Sequence, residues 1–281
     1  YGYRAILRCV NYRINEHGQY LIRGEDGTAN DKNPIHTRNY LIQLDSHADI
    51  QESCEILMPI DMPAPRYLPV RGFEDMRLFS IGKNLWVNAC IREMNDAGYC
   101  EQILARLEPV MQDGEMKMRL TDWKILHPEG PKVHEKNWMP YTDITEARFQ
   151  YRLDTVVNSD GVEFSKDNTN LDVAHISGGS QLIPWANPYD FSPGRLGVVH
   201  EAQINPTTGL RYYLHRFVWI SDIGLPTKLS LPFYLKDKGI EFVAGLTSLN
   251  GNLLLSYGCK DKEAWFAQVD IREVEKFLWQ K

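Results

Sequence analysis

Arg71-Gly72-Phe73-Glu74-Asp75-Met76-Arg77-Leu78-Phe79 is the stretch on which the reading of this chain turns. It sets two carboxylates and a guanidinium, on Glu74, Asp75 and Arg77, directly before the apolar runs 78–81 and 85–91, which read as strands. Successive side chains of a strand point to opposite faces, so Asp75 and Arg77 are expected on one face and Glu74 on the other. An acid and a permanent cation side by side at a strand entrance suit a site that protonates one oxygen and holds another. A lone E-D-x-R is ordinarily a surface ion pair of little energetic weight. Here it weighs more, because comparable polar clusters recur down the chain at the same kind of place.

Outward from that stretch, the chain is nearly all strand and turn. Residues 20–22 precede an Asp26-Gly27 turn, and 39–44 form a further strand. Residues 85–91 pass through Asp96-Ala97-Gly98 into 100–107, a hairpin by pattern. A strand over 149–157 runs toward Asp160-Gly161, and 196–203 and 212–220 flank Pro206-Thr207-Thr208-Gly209. Asn250-Gly251, between 247–249 and 253–257, is the strongest short hairpin signal, and 265–269 follows as one more strand. Helix is expected only at the end, where Asp270-Ile271-Arg272-Glu273 resembles a capping box and Val274, Phe277 and Leu278 keep helical spacing. The best breaks are Pro131 and the polar loop 160–172, which contains Ser165-Lys166-Asp167-Asn168-Thr169-Asn170. Neither is long enough to link two domains, so one domain over 1–281 is expected, which can itself be a piece of a longer protein.

Five polar openers punctuate the strands: His36-Thr37-Arg38-Asn39, Glu74-Asp75-Met76-Arg77, Glu135-Lys136-Asn137-Trp138, Ser177-Gly178-Gly179-Ser180-Gln181 and Phe242-Val243-Ala244-Gly245. Each is followed by strands joined by hairpins. The length allows about five four-stranded blades at roughly 40 to 60 residues each, so the pattern predicts an all-β fold, a five-bladed β-propeller with a short C-terminal helix. The innermost strands of a propeller surround a channel, so the openers are expected to converge on one pocket. Gly178-Gly179 is no phosphate-cradling loop, since no helix or Gly-Lys-Ser/Thr follows; close backbone approach or a bulge is expected there.

Composition narrows the classes. The chain has 281 residues, 43% hydrophobic and 24% charged, the profile of an ordinary globular protein. No apolar run approaches about 18 residues, so no membrane span is expected. A net charge of −6 argues against a nucleic-acid partner, which needs a concentrated basic surface. Cys9, Cys54, Cys90, Cys100 and Cys259 are scattered and form no C-x-x-C pair, so neither a metal site nor a disulfide framework is indicated. Reduced thiols in a cytoplasmic setting, with no secretory leader, complete that expectation.

Taken in order, Glu74-Asp75-Met76-Arg77, Lys136-Asn137-Trp138-Met139-Pro140, Ser177-Gly178-Gly179-Ser180 and Val198-Val199-His200-Glu201 resemble the motifs of glycoside hydrolase family 130, which holds β-mannoside phosphorylases and some β-mannosidases, and of related propeller mannosyltransferases. The likeness runs over roughly 38–267. The family's E-D-P-R stands here as E-D-M-R, its K-N-x-x-x-F-P as Lys136 to Pro140, and its Y-H-G as Val199-His200-Glu201. It implies a five-bladed β-propeller, in agreement with the count of openers.

The resemblance implies that Asp75 is the general acid of an inverting reaction on β-mannosidic or similar linkages, most simply phosphorolysis with inorganic phosphate as co-substrate and no cofactor or metal. Phosphate needs fixed cations; Lys136 and His200 match motif positions, while Arg148 and Arg216 are candidates from charge and strand context. Asn39, Asn137 and Gln181 can hydrogen-bond sugar hydroxyls, Trp138 or Trp185 can stack on a sugar face, and Arg38, Glu74, Arg77 and Ser180 complete the candidate contacts to an oligosaccharide or glycan. Two departures matter. Met76 replaces the proline and is expected to loosen the strand entrance. Glu201 replaces a glycine and sets a carboxylate beside His200, which would repel phosphate or serve as a base for water or an acceptor hydroxyl. Hydrolysis, sugar-nucleotide glycosyl transfer and a non-catalytic glycan-binding module of a larger polysaccharide-building protein therefore stay open. Without the resemblance, His200 in its apolar strand reads as a core histidine and Lys136 as a solvated loop end.

Overall fold

The structure is a computed structural model, and it describes residues 2–15, 17–126, 133–166 and 169–279. The breaks read at Pro131 and at Asp167-Asn168 lie outside the described residues. The chain forms two compact units, Tyr1–Leu78 with Asn84–Lys136, and Phe79–Lys83 with Asn137–Lys281.

In the first unit β1 (Tyr3–Val10) leads into a small antiparallel sheet of β2 (Tyr12–Ile14), β3 (Tyr20–Arg23) and β4 (Ala29–Asn30). A larger sheet follows, from β5 (Ile35–Leu44), β6 (Ile50–Leu57), β7 (Val70–Arg71), β8 (Glu74–Ile81), β9 (Asn84–Ile91), β10 (Glu101–Gln112) and β11 (Glu115–Leu126). Its order is β1-β5-β6-β11-β10-β9-β8, with β7 alongside β5, and the last three residues of β8 belong to the second unit. The β6–β11 seam is a parallel contact of only two residue pairs, Ile56 with Met118 and Leu57 with Arg119. Antiparallel meanders thus lie on either side of a weak joint. Alternate residues of these strands, including Leu41, Val87, Ala89, Ile91, Ile103 and Leu120, pack with Phe73 and Met76 into one core.

The second unit holds β12 (Met139–Pro140), β13 (Arg148–Arg152), β14 (Thr155–Asn158) and β15 (Glu163–Lys166) as one sheet. A second sheet contains β16 (Ile176–Gly178), β17 (Ile183–Pro184), β18 (Gly194–Ile204), β19 (Arg211–Ser221) and β20 (Pro226–Leu229), and a third contains β21 (Glu241–Leu249), β22 (Asn252–Cys259) and β23 (Glu263–Asp270). Asn250 and Gly251 both have positive φ, 50° and 78°, as the two-residue turn between β21 and β22 requires. Helix α1 (Ile271–Trp279) starts as expected: the Arg272 N–H donates to Asp270 Oδ1 at 2.8 Å, and Val274 and Leu278 are buried against β-sheet residues such as Leu253 and Leu255.

Among the described residues the fold is all-β with one short C-terminal helix, and the expected strands are present with one correction. The run 149–157 is a hairpin, not one strand. Its turn carries Leu153, only 2% exposed, so the apolar pattern continues through the reversal and hides it. Gln150 Nε2 ties that turn by donating to the carbonyls of Arg152 and Leu153. Several strands, β1, β6 and β11 the longest among them, are not legible in the sequence. The five polar openers fall at or directly beside the first residues of β5, β8, β12, β16 and β21.

Candidate active site

The quoted stretch enters β8 through backbone that only particular residues tolerate. Gly72 has φ 87°, and a Cβ there would lie 2.3 Å from the Thr37 carbonyl oxygen, so close approach to β5 demands glycine. Asn39 of β5 donates Nδ2 to the Phe73 carbonyl at 2.8 Å and is itself buried. Asp75 has φ 50°, a left-handed conformation uncommon for a non-glycine residue. The simple alternation that would put Asp75 and Arg77 on one face is therefore interrupted. Met76, expected to loosen this entrance, is 4% exposed and packed in the core.

Asp75 is held at two points. Arg77 Nη1 donates to its main-chain carbonyl at 2.9 Å, and Arg8 Nη1, from β1, donates to its Oδ1 at 2.9 Å. The Arg8 and Asp75 side chains are each 24% exposed, so this pair is within reach of a ligand. Arg77 is 1% exposed; burial lowers its guanidinium to about 10, against the opposing pull of the Asp75 charge, so it stays cationic near neutrality. Glu74 is buried, with Lys136 Nζ 4.0 Å from its Oε2. Burial pushes the Glu74 carboxyl up; Arg8 and Lys136 pull it back, and the Asp75 charge pushes it further. Lys136 loses some basicity to burial but ends above its ordinary value, because the Cys100, Cys90, Glu74 and Asp75 groups together favour its cation. The Cys90 and Cys100 thiols hydrogen-bond each other, which draws Cys100 down and Cys90 up. The first unit thus gathers Glu74, Asp75, Arg77 and Lys136 around Arg8, a residue the sequence did not single out.

In the second unit, His200 and Glu201 are neighbours on β18 and so face opposite ways. His200 lies between the rings of Tyr213 and Phe242, at centroid distances of 5.0 and 5.2 Å. Glu201, 5% exposed, pairs with Arg216 Nε across the β18–β19 hairpin, and His175 Nε2 lies 3.6 Å from the same carboxylate oxygen. Glu201 is therefore not a bare carboxylate beside His200; Arg216 balances it. Arg216 also donates Nη1 to the Ser230 carbonyl at 2.7 Å. Arg148 stacks on Tyr141, 4.4 Å from the ring centre, and donates to the Asp222 carbonyl. The described contacts do not bring Arg148, His200 and Arg216 to a common point.

Several candidate sugar contacts are structural. Trp138 is fully buried against Phe149 and Tyr151, so its ring is not offered for stacking. Ser180 is buried, its hydroxyl donating to the Gln181 carbonyl and accepting from the Val198 N–H. Gln181 clamps β21 as a backbone mimic, donating Nε2 to the Leu246 carbonyl and accepting from the Leu246 N–H. Arg38 is on the face opposite Asn39, exposed and 3.9 Å from Glu55. Trp185 is partly buried against the core that α1 covers, and its carbonyl accepts from Trp219 Nε1. Asn137 remains half-exposed with φ 63°. Gly178 meets its expectation: a Cβ there would lie 2.0 Å from the Asn137 carbonyl oxygen. Among the described residues no group of three or more His, Cys, Asp or Glu is placed to hold a metal ion, and no helix is long and apolar enough to cross a membrane.

No protein-family model matches the sequence, and no curated protein does. Solved structures do. A β-1,2-mannobiose phosphorylase from Listeria innocua, in complex with β-1,2-mannobiose, is 13% identical with a TM-score of 0.60 over 96% of this chain and 77% of that one. A protein from Bacteroides ovatus assigned as a glycoside hydrolase is 13% identical, with a TM-score of 0.57 over 95% and 87%. A glycosyl hydrolase from Bacteroides ovatus is 12% identical, with a TM-score of 0.54 over 94% and 81%. At these identities the likeness is one of fold, and the similar structures are of the kind the motif resemblance names.

Proposed function

We propose that this chain is a carbohydrate-active enzyme that cleaves or forms β-mannosidic or similar linkages with inversion, on a five-bladed propeller. The observation that carries the reading is the charge cluster at the head of β8. A buried acid, Glu74, adjoins a half-buried carboxylate, Asp75, with Arg8, Arg77 and Lys136 as fixed cations around them. Acid–base catalysis needs a positioned group whose protonation is set by its surroundings, and burial around Glu74 with an arginine against Asp75 gives these two carboxyl groups unlike environments. Among the described residues, the strand runs that follow the five polar openers support the propeller. The fold likeness to the Listeria innocua β-1,2-mannobiose phosphorylase supports mannosides as the first substrates to try.

Phosphorolysis is the first reaction to test, with Lys136, whose Nζ is 4.0 Å from Glu74, as the candidate phosphate cation. A second reading, hydrolysis or glycosyl transfer, is favoured by one specific observation: Arg148 and Arg216 already hold protein partners, Asp222 and Glu201, which leaves them less to offer a phosphate. The deciding experiment incubates the protein with β-1,2-mannobiose and longer manno-oligosaccharides, with and without inorganic phosphate, and separately with mannose 1-phosphate or a nucleotide-mannose plus an acceptor sugar. Phosphate-dependent release of α-mannose 1-phosphate supports phosphorolysis. Equal turnover without phosphate moves the reading to hydrolysis, and product only from the nucleotide-sugar moves it to transfer. Binding of manno-oligosaccharides with no turnover in any mixture would leave a glycan-binding module.

A further inference from the structure

We propose that Arg8 is a positioning residue of the acid centre, fixing the Asp75 carboxylate from its side chain while Arg77 fixes the same residue from its main chain. The proposal rests on reading the β8 cluster as the acid centre and extends it to a strand that no motif marks. β1 pairs antiparallel with β5 so that Arg8 stands directly opposite Asn39. Opposed residues of paired strands project to the same face. From that face Asn39 reaches the Phe73 carbonyl and Arg8 reaches the Asp75 carboxylate two residues later. One strand pair therefore grips the quoted stretch at two successive points.

Why does Asp75 need the second grip? Its left-handed backbone takes it out of the regular pleat, so strand geometry alone does not aim its carboxylate. Arg77 fixes the peptide but is buried and approaches from the main-chain side. Arg8 supplies a planar, permanently charged donor against the carboxylate, and both groups keep a share of exposure through which a ligand can reach them.

Arg8 acts on Glu74 as well. The charged groups facing Glu74 are Arg8 from β1, Asp75 beside it on β8, Lys136 ahead of β12 and the Cys100 thiol ahead of β10. Burial drives Glu74 toward its protonated form, and Arg8 is the largest counterweight among these groups. Removing its charge should let Glu74 hold its proton to higher pH.

The test is carboxyl NMR on protein labelled with ¹³C in aspartate and glutamate side chains, comparing the native chain with Arg8→Gln and Arg8→Lys. Glu74 and Asp75 are assigned through Glu74→Gln and Asp75→Asn. The expected result is a Glu74 midpoint moved to higher pH in Arg8→Gln and retained in Arg8→Lys, with the Asp75 carboxyl resonance displaced in both. With β-1,2-mannobiose and phosphate, Arg8→Gln should lower kcat by about 100-fold with little change in KM, as expected for misplacement of a reacting group. An Arg8→Gln chain with native far-UV circular dichroism and unmoved Glu74 and Asp75 signals would overturn the proposal. If that variant does not fold, Arg8→Lys decides, since an unmoved Asp75 resonance there overturns it equally. Shifted titrations in a protein that turns over none of the sugars would keep the positioning role and sink the functional reading instead.

Discussion

Arg8 and Asp75 are 67 residues apart in sequence, yet the Arg8 guanidinium donates to the Asp75 carboxylate at 2.9 Å. The motif carboxylate is thus contacted from a strand that carries no motif. What joins them is the β1–β5 ladder, whose register sets Arg8 opposite Asn39 and both against the stretch that enters β8.

Replacing Asp75 by Asn keeps the shape and removes the carboxylate. Turnover should fall by about 100-fold or more while sugar binding survives, given the usual contribution of a positioned acid or base. Full turnover by the variant on a substrate with a poor leaving group would transfer the role to Glu74. Steady-state kinetics alongside calorimetric titration with β-1,2-mannobiose separates the two effects.

Lys136 is the cation next to Glu74, 4.0 Å from its carboxylate. If phosphate is the attacking group, Lys136→Ala should raise the KM for phosphate far more than the KM for sugar, because only the phosphate loses a partner. The same variant removes one of the charges that hold the Glu74 carboxyl down, so Glu74 should titrate higher still. Parallel changes in both KM values would show that Lys136 serves the protein and not the phosphate.

Glu201 and Arg216 form a largely buried pair, and removing only one partner strands the other. Arg216→Leu should cost about 3 kcal/mol or more in urea denaturation, whereas Arg216→Leu with Glu201→Leu should recover much of the loss. A single variant as stable as the native chain would mean that Glu201 does not rely on Arg216.

His215 is 1% exposed, and burial pushes its imidazole down to about 4, with Glu241 pulling partly back. The folded chain therefore keeps it neutral, while the unfolded chain takes up a proton near the ordinary value of about 6.5. Its contribution to stability is present above that pH and is lost as pH falls toward about 4, on the order of 3 kcal/mol in all. Urea midpoints measured from pH 7 to pH 4 should fall more steeply for the native chain than for His215→Phe. Equal slopes would place His215 in a solvated setting.

The sequence by itself determined the all-β class, the closing helix and the places where new strand runs begin. These are local matters: alternation of apolar residues, an Asn250-Gly251 turn with both φ values positive, and an Asp270 cap are decided within a few residues of one another. It also singled out Glu74, Asp75 and Arg77, because charges crowded at a strand entrance are visible without a fold. Only the tertiary structure decided what each polar side chain is for. Trp138 and Gln181 have the chemistry of sugar contacts, but burial between Phe149 and Tyr151 and a two-way clamp on Leu246 spend that chemistry on the protein itself. His200 and Glu201 read as one charged unit, and the pleat of β18 turns them to opposite sides, where Arg216 pairs with the carboxylate and the rings of Tyr213 and Phe242 flank the imidazole. Arg8 was unreadable for the complementary reason. A cation in an unremarkable strand gains its meaning from a register set by every pair along β1 and β5, and that long-range pairing is not a property of any stretch of sequence taken alone.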